Sequence, residues 1–190
     1  MKIAVFFPGI GYTNDKPLLY YSRKITRAMG YEEICVEYHD LPGKVKGDKE
    51  KMMLAANMAY EQAKERLAEI DFHEGDEVVF VGKSIGTILA ARIAQDLGVK
   101  VKLVLYTPVE ETFKCDIEDA LAFIGTKDPW SSLEEVKRLA QMRNVPIHLY
   151  DECNHSLECG NTSEDIDILS EVMRKTGQYI MQESGEMEKK

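Results

Sequence analysis

Two hydrophobic periods alternate along this chain, and that alternation constrains its fold more than any other feature. Short β-branched or aromatic runs recur at 2–7, 33–38, 77–81, 101–106, 120–124 and 146–150, with the length and residue types of strands. Between most of them lie stretches with helical spacing. Met52, Ala56, Ala59, Ala63 and Leu67 advance by threes and fours, as do Ile166, Leu169 and Met173. Parallel strands need crossover connections, so strand and helix in alternation predict an α/β fold with a parallel sheet covered on both faces. The segment 84–97 carries Ile85, Ile88, Leu89, Ala90, Ala91, Ile93 and Ala94 almost all round and is expected to form the most buried helix.

Composition narrows the function. A chain of 190 residues with 44% apolar and 30% charged side chains reads as one globular domain, assigned to residues 1–181, with a polar, frayed tail at 182–190. The net charge of −9 repels phosphate backbones and anionic lipid, which argues against nucleic-acid and membrane partners. The most apolar stretch, 78–94, is interrupted by Lys83 and Arg92 and broken by Gly82 and Gly86, so it does not read as a membrane span. The opening apolar run ends in Pro8 and Gly9 and reads as a first strand rather than a targeting segment. Cys35, Cys115, Cys153 and Cys159 form no CxxC pair, so neither a disulfide scaffold nor a zinc site is expected and a cytoplasmic location is. The segment 40–51, with Pro42, Gly43 and Gly47 among charged residues, reads as a solvated loop able to overhang a site.

Open α/β sheets bind ligands beyond the carboxyl ends of their strands. The third strand ends in Gly82-Lys83-Ser84-Ile85-Gly86 and runs straight into the buried helix. This is the strand, sharp turn and helix of a nucleophile elbow, where glycines two residues either side of the serine let strand and helix close together. Here the chain resembles the α/β-hydrolase family, over nearly its whole length and in the manner of small capless members such as dienelactone hydrolases and carboxylesterases.

The resemblance implies a minimal form of that fold, a three-layer sandwich with six parallel strands in the order 2-1-3-4-5-6. It implies a triad in the order serine, acid, histidine. Asp128 follows the fifth run in Ile124-Gly125-Thr126-Lys127-Asp128, and His155 follows the sixth in Asn154-His155-Ser156. Glu110 and Glu111, after the fourth run, are rivals for the acid. The oxyanion hole would be the backbone amides of Ile85 and Ile10, the latter in Pro8-Gly9-Ile10-Gly11, where Pro8 replaces the usual histidine. About a dozen residues separate the fourth and fifth runs, too few for lid helices, so the site should be open.

The activity so implied is hydrolysis of a small soluble ester or thioester through an acyl-enzyme on Ser84, without cofactor or metal, the partner being the small-molecule substrate. The alternative is a catalytically silent scaffold that binds a small ligand or a protein. The acidic surface favours neutral or cationic substrates. A P-loop is excluded because position 77 is glutamate, and a dinucleotide fingerprint because its third glycine position is Asn14. Lys83 is expected to turn into solvent.

Overall fold

The computed structural model describes residues 1–182; the polar tail expected at 182–190 falls, apart from Gln182, outside the described residues. Six strands form one parallel sheet in the order β2-β1-β3-β4-β5-β6: β1 (Lys2–Phe7), β2 (Glu32–Cys35), β3 (Glu77–Lys83), β4 (Val101–Tyr106), β5 (Ala120–Gly125) and β6 (Ile147–Tyr150). Five α-helices connect or follow them: α1 (Pro17–Ala28), α2 (Lys49–Leu67), α3 (Ile85–Leu97), α4 (Leu133–Met142) and α5 (Thr162–Met181). This is the α/β sandwich and strand order expected from the sequence.

Side-chain alternation sorts the interior into two layers. Ile3, Val5 and Phe7 of β1, Val78 and Phe80 of β3, and Leu103 and Leu105 of β4 face one core with α2 and α3. Their neighbours Ala4, Phe6, Val79, Val81, Val104 and Tyr106 face the other, with Leu18 and Leu19 of α1 and Val172, Tyr179 and Ile180 of α5. Helix α3 is buried without a break from Ile85 to Ala91. Each large aliphatic side chain so placed contributes ~1.5–3 kcal/mol, which fixes α3, and the residue that opens it, against the sheet.

Local chemistry sets the boundaries. Pro17 opens α1, where its fixed φ and missing N–H cost nothing. Asp48 caps α2 by accepting from the Lys51 amide at 3.0 Å, so the helix takes residues 49–51 from the loop expected there. Strand β2 stops at Cys35 rather than 38. Its partner β1 ends at Phe7, with Phe6 opposite Cys35, and only one further bond, Val36 N–H to Phe6 O, prolongs the pairing. Strand β3 instead runs on to Lys83, held by Phe7 opposite Gly82 and by Tyr106 opposite Lys83. The connection from β4 to β5 holds only the short 3-10 segment Glu110–Lys114, so no lid arises there. No helix among the described residues is long and apolar enough to cross a membrane.

Candidate active site

Ser84 stands between β3 and α3 with φ 57° and ψ −121°, a sparsely populated conformation for a residue with a Cβ. The surroundings over-determine it. The Ser84 amide donates to Tyr106 O at 3.0 Å, and Thr87 Oγ1 donates to Ser84 O at 2.6 Å. A methyl group on Gly86 would sit 2.0 Å from Phe7 O, and one on Gly82 2.6 Å from Gly86 O, so both glycines are required by close backbone approach. Although Ser84 occupies the cap position of α3, its hydroxyl caps nothing and is left for another partner.

That partner is His155. Its Nε2 lies 2.8 Å from Ser84 Oγ, and its Nδ1 lies 2.7 Å from Asp128 Oδ2. A carboxylate can only accept, so Nδ1 carries the proton and Nε2 is the base facing the hydroxyl. Asp128 is itself fixed, since Oδ1 accepts from the Trp130 amide at 2.9 Å. The three side chains, separated by 27 and 71 residues in sequence, meet at the carboxyl end of the sheet.

The two loops that deliver Asp128 and His155 are bound to each other. Thr126 N–H donates to Tyr150 O and Lys127 N–H to Cys153 O, each at 2.9 Å. Asp151, close to His155 in sequence, is used in this clasp, accepting from Thr126 Oγ1 at 3.0 Å. Glu110 accepts from the Ser132 amide at 2.7 Å, and Glu111, almost wholly buried, pairs with Lys49 Nζ at 2.9 Å. Neither rival glutamate is bonded to the imidazole.

The amides expected to receive an oxyanion are free to do so. Ile85 N–H opens α3, where no intrahelical acceptor exists, and neither it nor Ile10 N–H has a hydrogen-bond partner among the described residues. The loop bearing Ile10 folds back through paired Gly9 and Tyr12, and Gly9 passes close to Ser84, a built Cβ there lying 3.2 Å from Ser84 Cβ. The N-terminus of α3 adds its positive dipole end at the same place.

Sequence reading gave Trp130 and Lys46 no part in the site and misplaced Lys83. The Trp130 indole stacks on the His155 ring at 5.3 Å and 26°, and Lys46 Nζ stands 6.0 Å from the indole centroid. Lys83, expected in solvent, is instead buried at 1% exposure. The reason is face parity: Val79, Val81 and Lys83 alternate onto the layer that holds Tyr106, and Lys83 is that tyrosine's partner across the strands. Counting residues from the core valines would have found it.

Burial lowers the His155 pKa below its ordinary value of 6.5, opposed by the Asp128 hydrogen bond and reinforced by repulsion from Lys83. A surface cleft of about 1000 Å³ opens at the amino ends of the strands between Lys2, Asp76, Lys102 and Tyr179 and contains none of these groups. Among the described residues no cluster of His, Cys, Asp and Glu could hold a metal ion.

No family model and no curated protein sequence matches this chain. Solved structures do. An alpha-beta serine hydrolase homologue from Coxiella burnetii is 16% identical, with a TM-score of 0.63 over 92% of this chain and 84% of its own. A serine hydrolase without lid from Xanthomonas campestris is 12% identical, with a TM-score of 0.62 over 96% and 84%. The Bacillus cereus carboxylesterase is 19% identical, with a TM-score of 0.60 over 94% and 87%. At these identities the likeness is one of architecture, and the architecture is that of the α/β-hydrolase fold.

Proposed function

We propose that this protein is a serine hydrolase that cleaves small soluble esters or thioesters in the cytoplasm, a compartment suited to its four unpaired cysteines. The observation that carries the reading is the continuous Ser84, His155 and Asp128 chain, with contacts of 2.8 and 2.7 Å, closed on a strained nucleophile. Nothing else in the fold needs a serine hydroxyl held in that way.

In the proposed reaction Ser84 Oγ attacks the substrate carbonyl while its proton passes to His155 Nε2. The carbonyl oxygen becomes an oxyanion facing the amides of Ile85 and Ile10, each such donor contributing about 3 kcal/mol in comparable sites. The imidazolium then gives its proton to the departing alcohol or thiol, leaving an acyl ester on Ser84. Water then gives its proton to His155 Nε2 and its oxygen to the acyl carbon, and as the bond from that carbon to Ser84 Oγ breaks the imidazolium returns the proton to Oγ, releasing the carboxylic acid and restoring the serine. Asp128 holds the tautomer throughout and stabilises the cation.

A fluorophosphonate probe tests this directly. It is expected to form one adduct, mapped by mass to the peptide containing Ser84 and lost in Ser84→Ala; a folded protein with no Ser84-dependent adduct would be a silent scaffold instead. The pH profile is a second check. The base works unprotonated and burial holds its pKa below 6.5, so kcat/KM rises with pH through an inflection below that value. An inflection at or above 6.5 would contradict the assignment of His155 as the base in this environment.

A further inference from the structure

One buried ionisable group in the site is unused by the reaction above. Lys83 precedes the nucleophile, its side chain is almost wholly enclosed, and it makes no hydrogen bond or ion pair among the described residues. Its Nζ stands 5.0 Å from the centre of the Tyr12 ring, whose hydroxyl is engaged by the Leu18 amide at 3.1 Å. An enclosed amine without a carboxylate against it is costly to the fold. Val79, Val81 and Phe123 pack in this layer, and its buried polar groups Ser22, Tyr106 and Thr176 bond to one another, so none of them calls for a lysine here.

We propose that Lys83 is a positioning residue of the triad, its buried amine setting the electrostatic field in which His155 and Asp128 handle the serine proton. The inference rests on the hydrolase reading only for its kinetic consequence. The charges that reach the imidazole come from three directions: Asp128 after β5, Lys83 at the end of β3 and Lys46 ahead of α2. Lys83 in turn feels Asp128, lies against Tyr12 after β1, and neighbours Tyr106 at the end of β4. Glu158, beyond His155, acts on Tyr12.

The signs follow from these positions. Burial pushes the Lys83 ammonium down to about 7, with Asp128 opposing. The imidazole titrates below 6.5, so Lys83 is predominantly cationic wherever His155 takes up its proton. A cation there repels the imidazolium and keeps Nε2 free to accept from Ser84. Above about 7 the amine becomes neutral, and the imidazolium formed during turnover meets less repulsion.

Lys83→Met keeps the length of the side chain and removes the charge, and it is expected to fold with an unchanged or higher Tm. Lys83→Arg keeps a cation at every accessible pH. In 15N-labelled protein the His155 ring is expected to titrate about half to one pH unit higher in Lys83→Met, with the acid limb of kcat/KM on a p-nitrophenyl ester moving by the same amount. Lys83→Arg should hold both at the wild-type position. A His155 midpoint that stays put in Lys83→Met, or that moves as far in Lys83→Arg, overturns the proposal. Absence of turnover on every ester would count against the hydrolase reading alone, because the ring titration still decides on Lys83.

Discussion

His155→Ala will retain the fold and lose ester turnover by about a million-fold in kcat. Only 14% of the imidazole side chain is accessible, but it lies on a loop at the rim, so its truncation gives up the stack on Trp130 and leaves both hydrophobic cores in place. What it removes is the acceptor 2.8 Å from Ser84 Oγ, without which a serine hydroxyl is a poor nucleophile at neutral pH. Asp128→Asn should lose less, about ten-thousand-fold. Its amide can still face Nδ1, but as a donor it favours the tautomer with the proton on Nε2, which cannot accept from the serine. The double variant Ser84→Ala with His155→Ala should be no slower than either single one, because both remove the same step. Stopped-flow or extended steady-state assays on a p-nitrophenyl ester measure all three. Losses that multiplied in the double variant would mean that serine and histidine act in separate steps and not as one relay.

Much of this site could be read in advance because its residues stand at strand ends, and strand ends were the strongest pattern in the chain. The apolar run 77–81 followed by Gly82-Lys83-Ser84-Ile85-Gly86 placed Ser84 at a sharp turn, and the apolar helix after it could only be buried. Asp128 and His155 followed from the serine, acid, histidine order that the resemblance implies, applied to the ends of the fifth and sixth runs. Lys83 was misplaced because residue type was weighed above face parity: a lysine suggests solvent, but two residues beyond Val81 the pleat turns it inward. The stack of Trp130 on His155 had no sequence signal. It exists because Lys127 N–H meets Cys153 O and the two loops close on each other, a contact between segments with no shared period. The same applies to Lys49 and Glu111, joined across the fold by an ion pair that neither local sequence foretells.

The closest backbone approaches at glycines among the described residues should separate folding from function through two alanine substitutions. Gly86→Ala would place a methyl carbon 2.0 Å from Phe7 O and 2.7 Å from Pro8 O. One side of that contact is β1, an interior strand of the sheet buried from Ile3 to Phe7, and the other is the most enclosed helix, so neither can yield without opening both cores. A loss of at least ~4 kcal/mol is expected, seen as a Tm lowered by about 10 °C or more for a chain of this size, or as failure to obtain folded protein. Gly125→Ala meets a comparable clash, 2.1 Å from Cys153 O and 2.7 Å from Asn154 O, but against a loop whose Asp151, Glu152 and Asn154 are exposed. That loop can move outward by giving up the bond from Lys127 N–H to Cys153 O, at a cost of about 1–3 kcal/mol. His155 rides on it, and a displacement of about 1 Å from the serine costs on the order of a hundred-fold in rate. Gly125→Ala should therefore fold, melt only several degrees lower, and hydrolyse esters about a hundred-fold more slowly. Wild-type activity in folded Gly125→Ala would show that this loop's seating on β5 does not place the imidazole, and a wild-type Tm in Gly86→Ala would show that strand and helix are not in contact at the elbow.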